Sequence, residues 1–196
     1  MCDSLQSMAR SYVMVKNTAP DSGIGSGIVV RNNARASYVL TCAHVLEEGN
    51  TKVVRRTKGH FASDLVELCD SDSEHDLALL VGPHLPGARA LQLAEDEPDL
   101  YTHAYLMGSH GGLFGVAGDA IITGAHGSHG EAWGKHLYVF TGVACPGMSG
   151  GMLCNLDGGL VGVLSQVRTE NEHAVHTVGY AVDLPTVRDF LRAALP

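Results

Sequence analysis

The 196-residue chain is 45% hydrophobic and 17% charged, which is enough apolar material for packed cores and too ordered a balance for a disordered segment. A formal charge of −8 argues against a general nucleic-acid or anionic-membrane surface, and no window reaches the ~18 apolar residues of a membrane span. Residues 1–10 hold no apolar leader, so they read as a flexible lead-in. The setting expected from this is cytoplasmic, with Cys2, Cys42, Cys69, Cys145 and Cys154 as reduced thiols.

After the lead-in, short β-type runs recur at Ser11–Lys16, Ser26–Arg31, Ser37–Thr41, Lys52–Arg56, Asp64–Cys69 and Leu77–Val81, separated by turn formers such as Asp21-Ser22-Gly23. Residues 82–100, acidic and broken by Pro83, Pro86 and Pro98, read as a connector. A second set follows at Tyr101–Met107, Asp119–Thr123, His136–Thr141, Gly151–Cys154, Leu160–Gln166 and Thr177–Val182. The expected fold is all-β: two six-stranded antiparallel barrels, 11–81 and 101–182, packed together so that no long sheet edge is left bare. A C-terminal helix over 183–196 follows, with Asp183 as its cap, Pro185 in its first turn, and Val187, Leu191 and Leu195 on one face.

Between two apolar runs stands Cys145-Pro146-Gly147-Met148-Ser149-Gly150-Gly151. Gly147 can adopt backbone angles closed to other residues, so this turn can aim the amides of Gly147 and Ser149 into one small space, as an oxyanion requires. The Ser149 hydroxyl beside them is the candidate nucleophile. A serine needs a base within hydrogen-bond reach. Eleven histidines compete for the role, and His44 stands out because Tyr38-Val-Leu-Thr-Cys-Ala-His44 places it at the end of an apolar strand. Asp76, opening Asp76-Leu-Ala-Leu-Leu-Val81, is the candidate acid that would hold the imidazole in one tautomer; taken alone it reads rather as a turn cap.

Thr41-x-Ala-His44-Val, Asp76-Leu-Ala-Leu and Gly147-x-Ser149-Gly-Gly, in this order, resemble the trypsin/chymotrypsin-like serine peptidases. In character they are closest to Deg-type or viral members. The resemblance implies His44 as general base, Asp76 as its partner, Ser149 as nucleophile, Gly147 and Ser149 as oxyanion donors, and a cleft between the barrels. It implies protein or peptide substrates, with no cofactor, metal, nucleic acid or membrane, and leaves the oligomeric state open. Met148 stands where secreted, zymogen-activated members have an aspartate, so activation by N-terminal trimming is not expected. No further domain is expected beyond the helix.

By the same resemblance the primary pocket is walled by Ser165, Gln166, Val167 and Val178, with Val143 near its base. Such an apolar, shallow pocket favours a small aliphatic residue before the scissile bond. His173 and His176 offer an alternative preference for an acidic side chain. His110, His126, His129 and His136 fall in a glycine-rich stretch, 108–136, expected as a mobile loop rather than a metal site. Cys42 reads as a small buried residue behind His44. The competing function is a catalytically silent peptide-binding module on the same fold.

Overall fold

Alternation decides which way each strand faces. In β1 (Tyr12–Asn17), Val13 and Val15 point inward with Val29, Val39, Val53 and Leu80, whereas Tyr12 and Met14 join a different cluster containing Tyr105, Met107 and Met152. The computed structural model describes residues 2–17, 23–46, 51–57, 60–125, 136–167 and 178–196. Both faces of β1 are buried because one lines a barrel and the other meets the neighbouring barrel.

The first barrel consists of β1, β2 (Ile24–Asn32), β3 (Ser37–Thr41), β4 (Thr51–Thr57), β5 (His60–Asp72) and β6 (Leu77–Gly82), closed in the order β1-β2-β3-β6-β5-β4. The second consists of β7 (His103–His110), β8 (Leu113–Ala125), β9 (Leu137–Gly142), β10 (Met152–Cys154), β11 (Leu160–Val167) and β12 (Val178–Asp183). Its order, β7-β8-β9-β12-β11-β10, repeats that of the first, closed by β10 on β7. All these pairings are antiparallel, and closure removes free sheet edges.

Helix α2 (Leu184–Ala194) starts where the Asp183 carboxylate accepts the Thr186 amide at 3.0 Å, and buries Leu184, Val187 and Leu191. Val187 and Leu191 complete the core shared by the barrels, where Ile28, Leu40, Leu79 and Met152 are fully buried. Each such side chain contributes roughly 1.5–3 kcal/mol relative to its exposed state.

Two expectations are corrected. The lead-in is not flexible coil: Cys2–Ser11 forms helix α1, anchored by fully buried Met8 and by Ser4 Oγ donating to the Leu156 carbonyl at 3.0 Å. Residues 108–125 are not a loop. They complete β7 and β8, joined by a tight turn in which Gly111 and Gly112 have φ of 52° and 86°. The half of β8 around the expected strand Asp119–Thr123 alternates buried and exposed residues, whereas Leu113–Gly118 is solvated on both faces and carries no hydrophobic period. The connector is also bound down, with the Leu91 amide donating to Val29 O at 2.8 Å and the Ala94 amide to Leu160 O at 2.9 Å.

Candidate active site

His44 lies in a single turn of 3-10 helix, Ala43–Val45, immediately after β3 and buried Thr41 and Cys42. Asp76 ends the turn between β5 and β6, with φ of 57°. Aspartate is one of the few residues that tolerates this left-handed conformation. The two are tied at three levels. The Asp76 carbonyl accepts the Ala43 amide at 3.2 Å, Oδ1 accepts the His44 amide at 3.0 Å, and the carboxylate meets His44 Nδ1 at 2.8 Å through Oδ2 and 3.0 Å through Oδ1. An Nδ1–H donated to a carboxylate leaves Nε2 with its lone pair free.

The electrostatics follow. The hydrogen bond from His44 to the Asp76 carboxylate raises the His44 pKa above 6.5; partial burial opposes the shift and the carboxylate's charge adds to it. Burial pushes the Asp76 carboxyl upward, but hydrogen bonds from the His44 ring, the Ser165 hydroxyl and the His44 amide outweigh it, so its pKa lies below 3.8. Behind the pair, burial and the nearby Asp76 carboxylate push the Cys42 thiol well up, and its Sγ contacts the Leu164 carbonyl at 3.2 Å. Cys42, His44 and Asp76 have ligand atoms within 4.8 Å of one another. A metal there would have to displace the His44–Asp76 hydrogen bonds and ionise a thiol whose burial opposes it.

Ser149 comes from the second barrel, on the turn before β10. Gly147 has φ of 97° and Gly150 of 81°. A Cβ on Gly150 would lie 2.2 Å from the Ser26 carbonyl and 2.3 Å from Thr41 Oγ1, so only glycine lets the turn approach the first barrel this closely. Around the serine the Gly151 amide donates to Met148 O at 2.8 Å, the Gly150 amide to Leu164 O at 2.7 Å, and the Ser26 amide to Ser149 O at 2.7 Å. The amides of Gly147 and Ser149 have no acceptor among the described residues.

The Ser149 hydroxyl donates to the Ser165 carbonyl at 2.9 Å, and it is not hydrogen-bonded to His44. One hydroxyl proton serves one acceptor at a time, so donating to an imidazole would require it to leave the Ser165 carbonyl. Ser165, expected in the pocket wall, makes a contact that expectation did not include. It occupies the bulge between Leu164 and Gln166 in the β11–β12 ladder, is 4% exposed, and donates its hydroxyl to Asp76 Oδ2 at 2.6 Å. The bulge turns its side chain towards the acid. Ser165 is the one hydroxyl in the run Leu160–Gln166, but nothing in that run names its partner.

Val143 is 56% exposed just past β9, and half-buried Val178 opens β12 opposite Thr141, so both lie at one end of the same strand pair. The side chains of Gln166 and Val167, and all of His126, His129, His173 and His176, lie outside the described residues. His110 and His136 are exposed, and the His136 ring stacks edge-on against His75 at 4.9 Å.

Residues 25–163, spanning both barrels, match the model of the trypsin-like peptidase domain. The chain belongs to this family. Among curated relatives it is 27% identical over 165 residues to the periplasmic pH-dependent serine endoprotease DegQ of Escherichia coli, covering 83% of this chain and 35% of that protein. It is 31% identical over 156 residues to a probable periplasmic DegP-like serine endoprotease of Halomonas elongata, covering 76% and 30% respectively. The chain thus spans about a third of the length of the curated relatives it matches. The solved HtrA-type protease AlgW with tripeptide superposes with a TM-score of 0.82 at 21% identity, over 98% of this chain and 62% of that one, a likeness of fold. The family's fold is the chymotrypsin-like pair of barrels described above.

These relatives overturn the cytoplasmic setting, since both are named as periplasmic. Thiol chemistry did not decide the matter. Cys42 and Cys154 are free and fully buried, and a buried unpaired thiol survives in either compartment. Among the described residues no helix is long and apolar enough to cross a membrane.

Proposed function

We propose that this trypsin-like peptidase domain is an active serine endopeptidase, working in a cleft between the barrels with Ser149 as nucleophile, His44 as general base and Asp76 as its positioning partner. The observation that carries the reading is the carboxylate grip on His44 Nδ1, at 2.8 and 3.0 Å, which leaves the lone pair of Nε2 available as a base. Ser149 Oγ attacks the substrate carbonyl carbon while its proton passes to His44 Nε2. The negative oxygen is received by the amides of Gly147 and Ser149, an interaction in which one donor is worth roughly 100- to 1,000-fold in rate. The imidazolium then protonates the leaving amine, and a water repeats the sequence to release the acyl group.

Protein or peptide substrates follow from this chemistry, and the periplasmic setting of the relatives extends to this chain in the same proposal. The apolar Val143 and Val178 support a preference for a small aliphatic residue before the scissile bond, with each methylene changing selectivity by ~1–3 kcal/mol. A fluorophosphonate probe tests the reading: the wild type should be labelled at neutral pH, labelling should vanish in Ser149→Ala, and it should fall by orders of magnitude in His44→Ala. An unlabelled wild type that still binds peptides, equally in Ser149→Ala, would establish the silent binding module instead.

A further inference from the structure

The turn that carries Ser149 is made of glycines and small residues, so something outside it must hold its peptide planes. Ser26, on β2 of the first barrel and fully buried, uses every polar atom it has for this purpose. Its amide donates to Ser149 O at 2.7 Å, its hydroxyl donates to Gly147 O at 2.8 Å, and its own carbonyl accepts from Thr41 Oγ1 at 2.7 Å. The direction of the hydroxyl bond is settled by counting. The Ser109 amide donates to Ser26 Oγ at 2.8 Å, which occupies a lone pair and leaves the single hydroxyl proton for the Gly147 carbonyl. Ser109 is itself held by the Tyr12 hydroxyl, so the arrangement is buttressed from both barrels.

The consequence falls on the amides with no acceptor. The Gly147–Met148 peptide is pinned at both ends: its N–H donates to Cys145 O at 3.1 Å and its carbonyl accepts from Ser26. That plane sets the angles on either side, and so the directions in which the Gly147 and Ser149 amides point. Without the hydroxyl, the half-buried Gly147 carbonyl loses its protein donor, and the plane is free to rotate towards another partner. Gly147, with no Cβ, offers little resistance to that rotation.

We propose that Ser26 is a positioning residue for oxyanion stabilisation: a side chain of the barrel that supplies the base also sets the two amides of the barrel that supplies the nucleophile. This rests on the reading of Gly147 and Ser149 as oxyanion donors. Ser26 touches neither substrate nor reacting atoms in this role and acts through the turn.

The test compares Ser26→Ala, Ser26→Thr and Ser109→Ala with the wild type, each first checked for an unchanged fold by circular dichroism. In Ser26→Ala, kcat should fall at least tenfold with KM nearly unchanged, and affinity for a peptide boronate, which forms a tetrahedral adduct, should fall in parallel while affinity for the product peptide stays constant. Ser26→Thr, which keeps the hydroxyl, should restore most of the loss, and Ser109→Ala, which keeps the main-chain donor, should lose little. A folded Ser26→Ala variant with wild-type kcat and boronate affinity would overturn the proposal, as would product-peptide affinity falling in step with the boronate's. If the wild type itself is inactive, the Proposed function fails separately, and amide NMR still decides this point. The Gly147, Met148 and Ser149 resonances should shift in Ser26→Ala but not in Ser109→Ala, and unshifted resonances would overturn it. Should Ser26→Ala fail to fold, Ser26→Cys, with a weaker donor, is to be read on the same scales.

Discussion

The two barrels share one strand order but bring opposite kinds of chemistry to their meeting place. The first contributes charge held in place: His44 and Asp76 are joined by main-chain and side-chain hydrogen bonds before any substrate arrives. The second contributes groups held open, namely a hydroxyl resting on the Ser165 carbonyl and two amides on a glycine turn without acceptors among the described residues. A base loses its tautomer if its partner moves, so it is best fixed early. An oxyanion donor is useful only if it is unpaired until charge develops, so it is best fixed from behind, through neighbouring carbonyls. The barrels exchange these supports: Ser165 of the second steadies Asp76, and Ser26 of the first steadies the serine turn.

The sharpest way to break the comparison is Asp76→Asn. Asparagine tolerates the left-handed backbone, so the fold should survive, while the favoured imidazole tautomer is lost and kcat should drop by roughly 10,000-fold. A variant within tenfold of wild type would deny the first barrel its role. Next is Gly150→Ala, where the added methyl meets the Ser26 carbonyl and Thr41 hydroxyl at under 3 Å and φ is positive. Urea unfolding should show a loss of roughly 3 kcal/mol or more, if soluble protein forms at all.

Ser165→Ala should have a smaller effect, a fall in kcat/KM of about tenfold by loss of one charge-assisted bond to Asp76. It should also bring the Asp76 pKa closer to 3.8 from below, visible by NMR titration. The smallest effect is on pH dependence. Because the folded pKa of His44 is raised above 6.5, its stabilising contribution is full below 6.5 and is lost as pH rises through the folded value. With His44 as the proposed base, activity would need it neutral and should rise over the same window. Asp76, with a lowered pKa, contributes stability above 3.8 that is lost as pH falls through its folded value. Above pH 6.5, therefore, kcat/KM should climb while the His44 share of thermal stability declines, and in His44→Ala that share of the decline should be absent. Parallel rises in both would contradict the assignment.

Much of this molecule was legible without coordinates. Strand positions such as Ser37–Thr41 and the α2 cap at Asp183 are written in local alternation and capping chemistry. Likewise His44 after an apolar strand and Ser149 in a glycine turn are local patterns. Helix α1 was not legible, because its few apolar residues, Met8 foremost, gain meaning only from the barrel they meet. Of β8 only the half around Asp119–Thr123 was legible, because the glycines and solvated faces of Leu113–Gly118 carry no period.

What the sequence by itself determined was the set of segments and the chemistry each could offer, since both depend on neighbours a few residues apart. Tertiary structure alone decided that Ser165 serves Asp76 across 89 residues of sequence and that Ser26 holds Gly147 across 121. A serine in an apolar strand looks the same whether it lines a pocket or grips a carboxylate. Only the closure and packing of the two barrels, set by registers and one bulge, choose its partner.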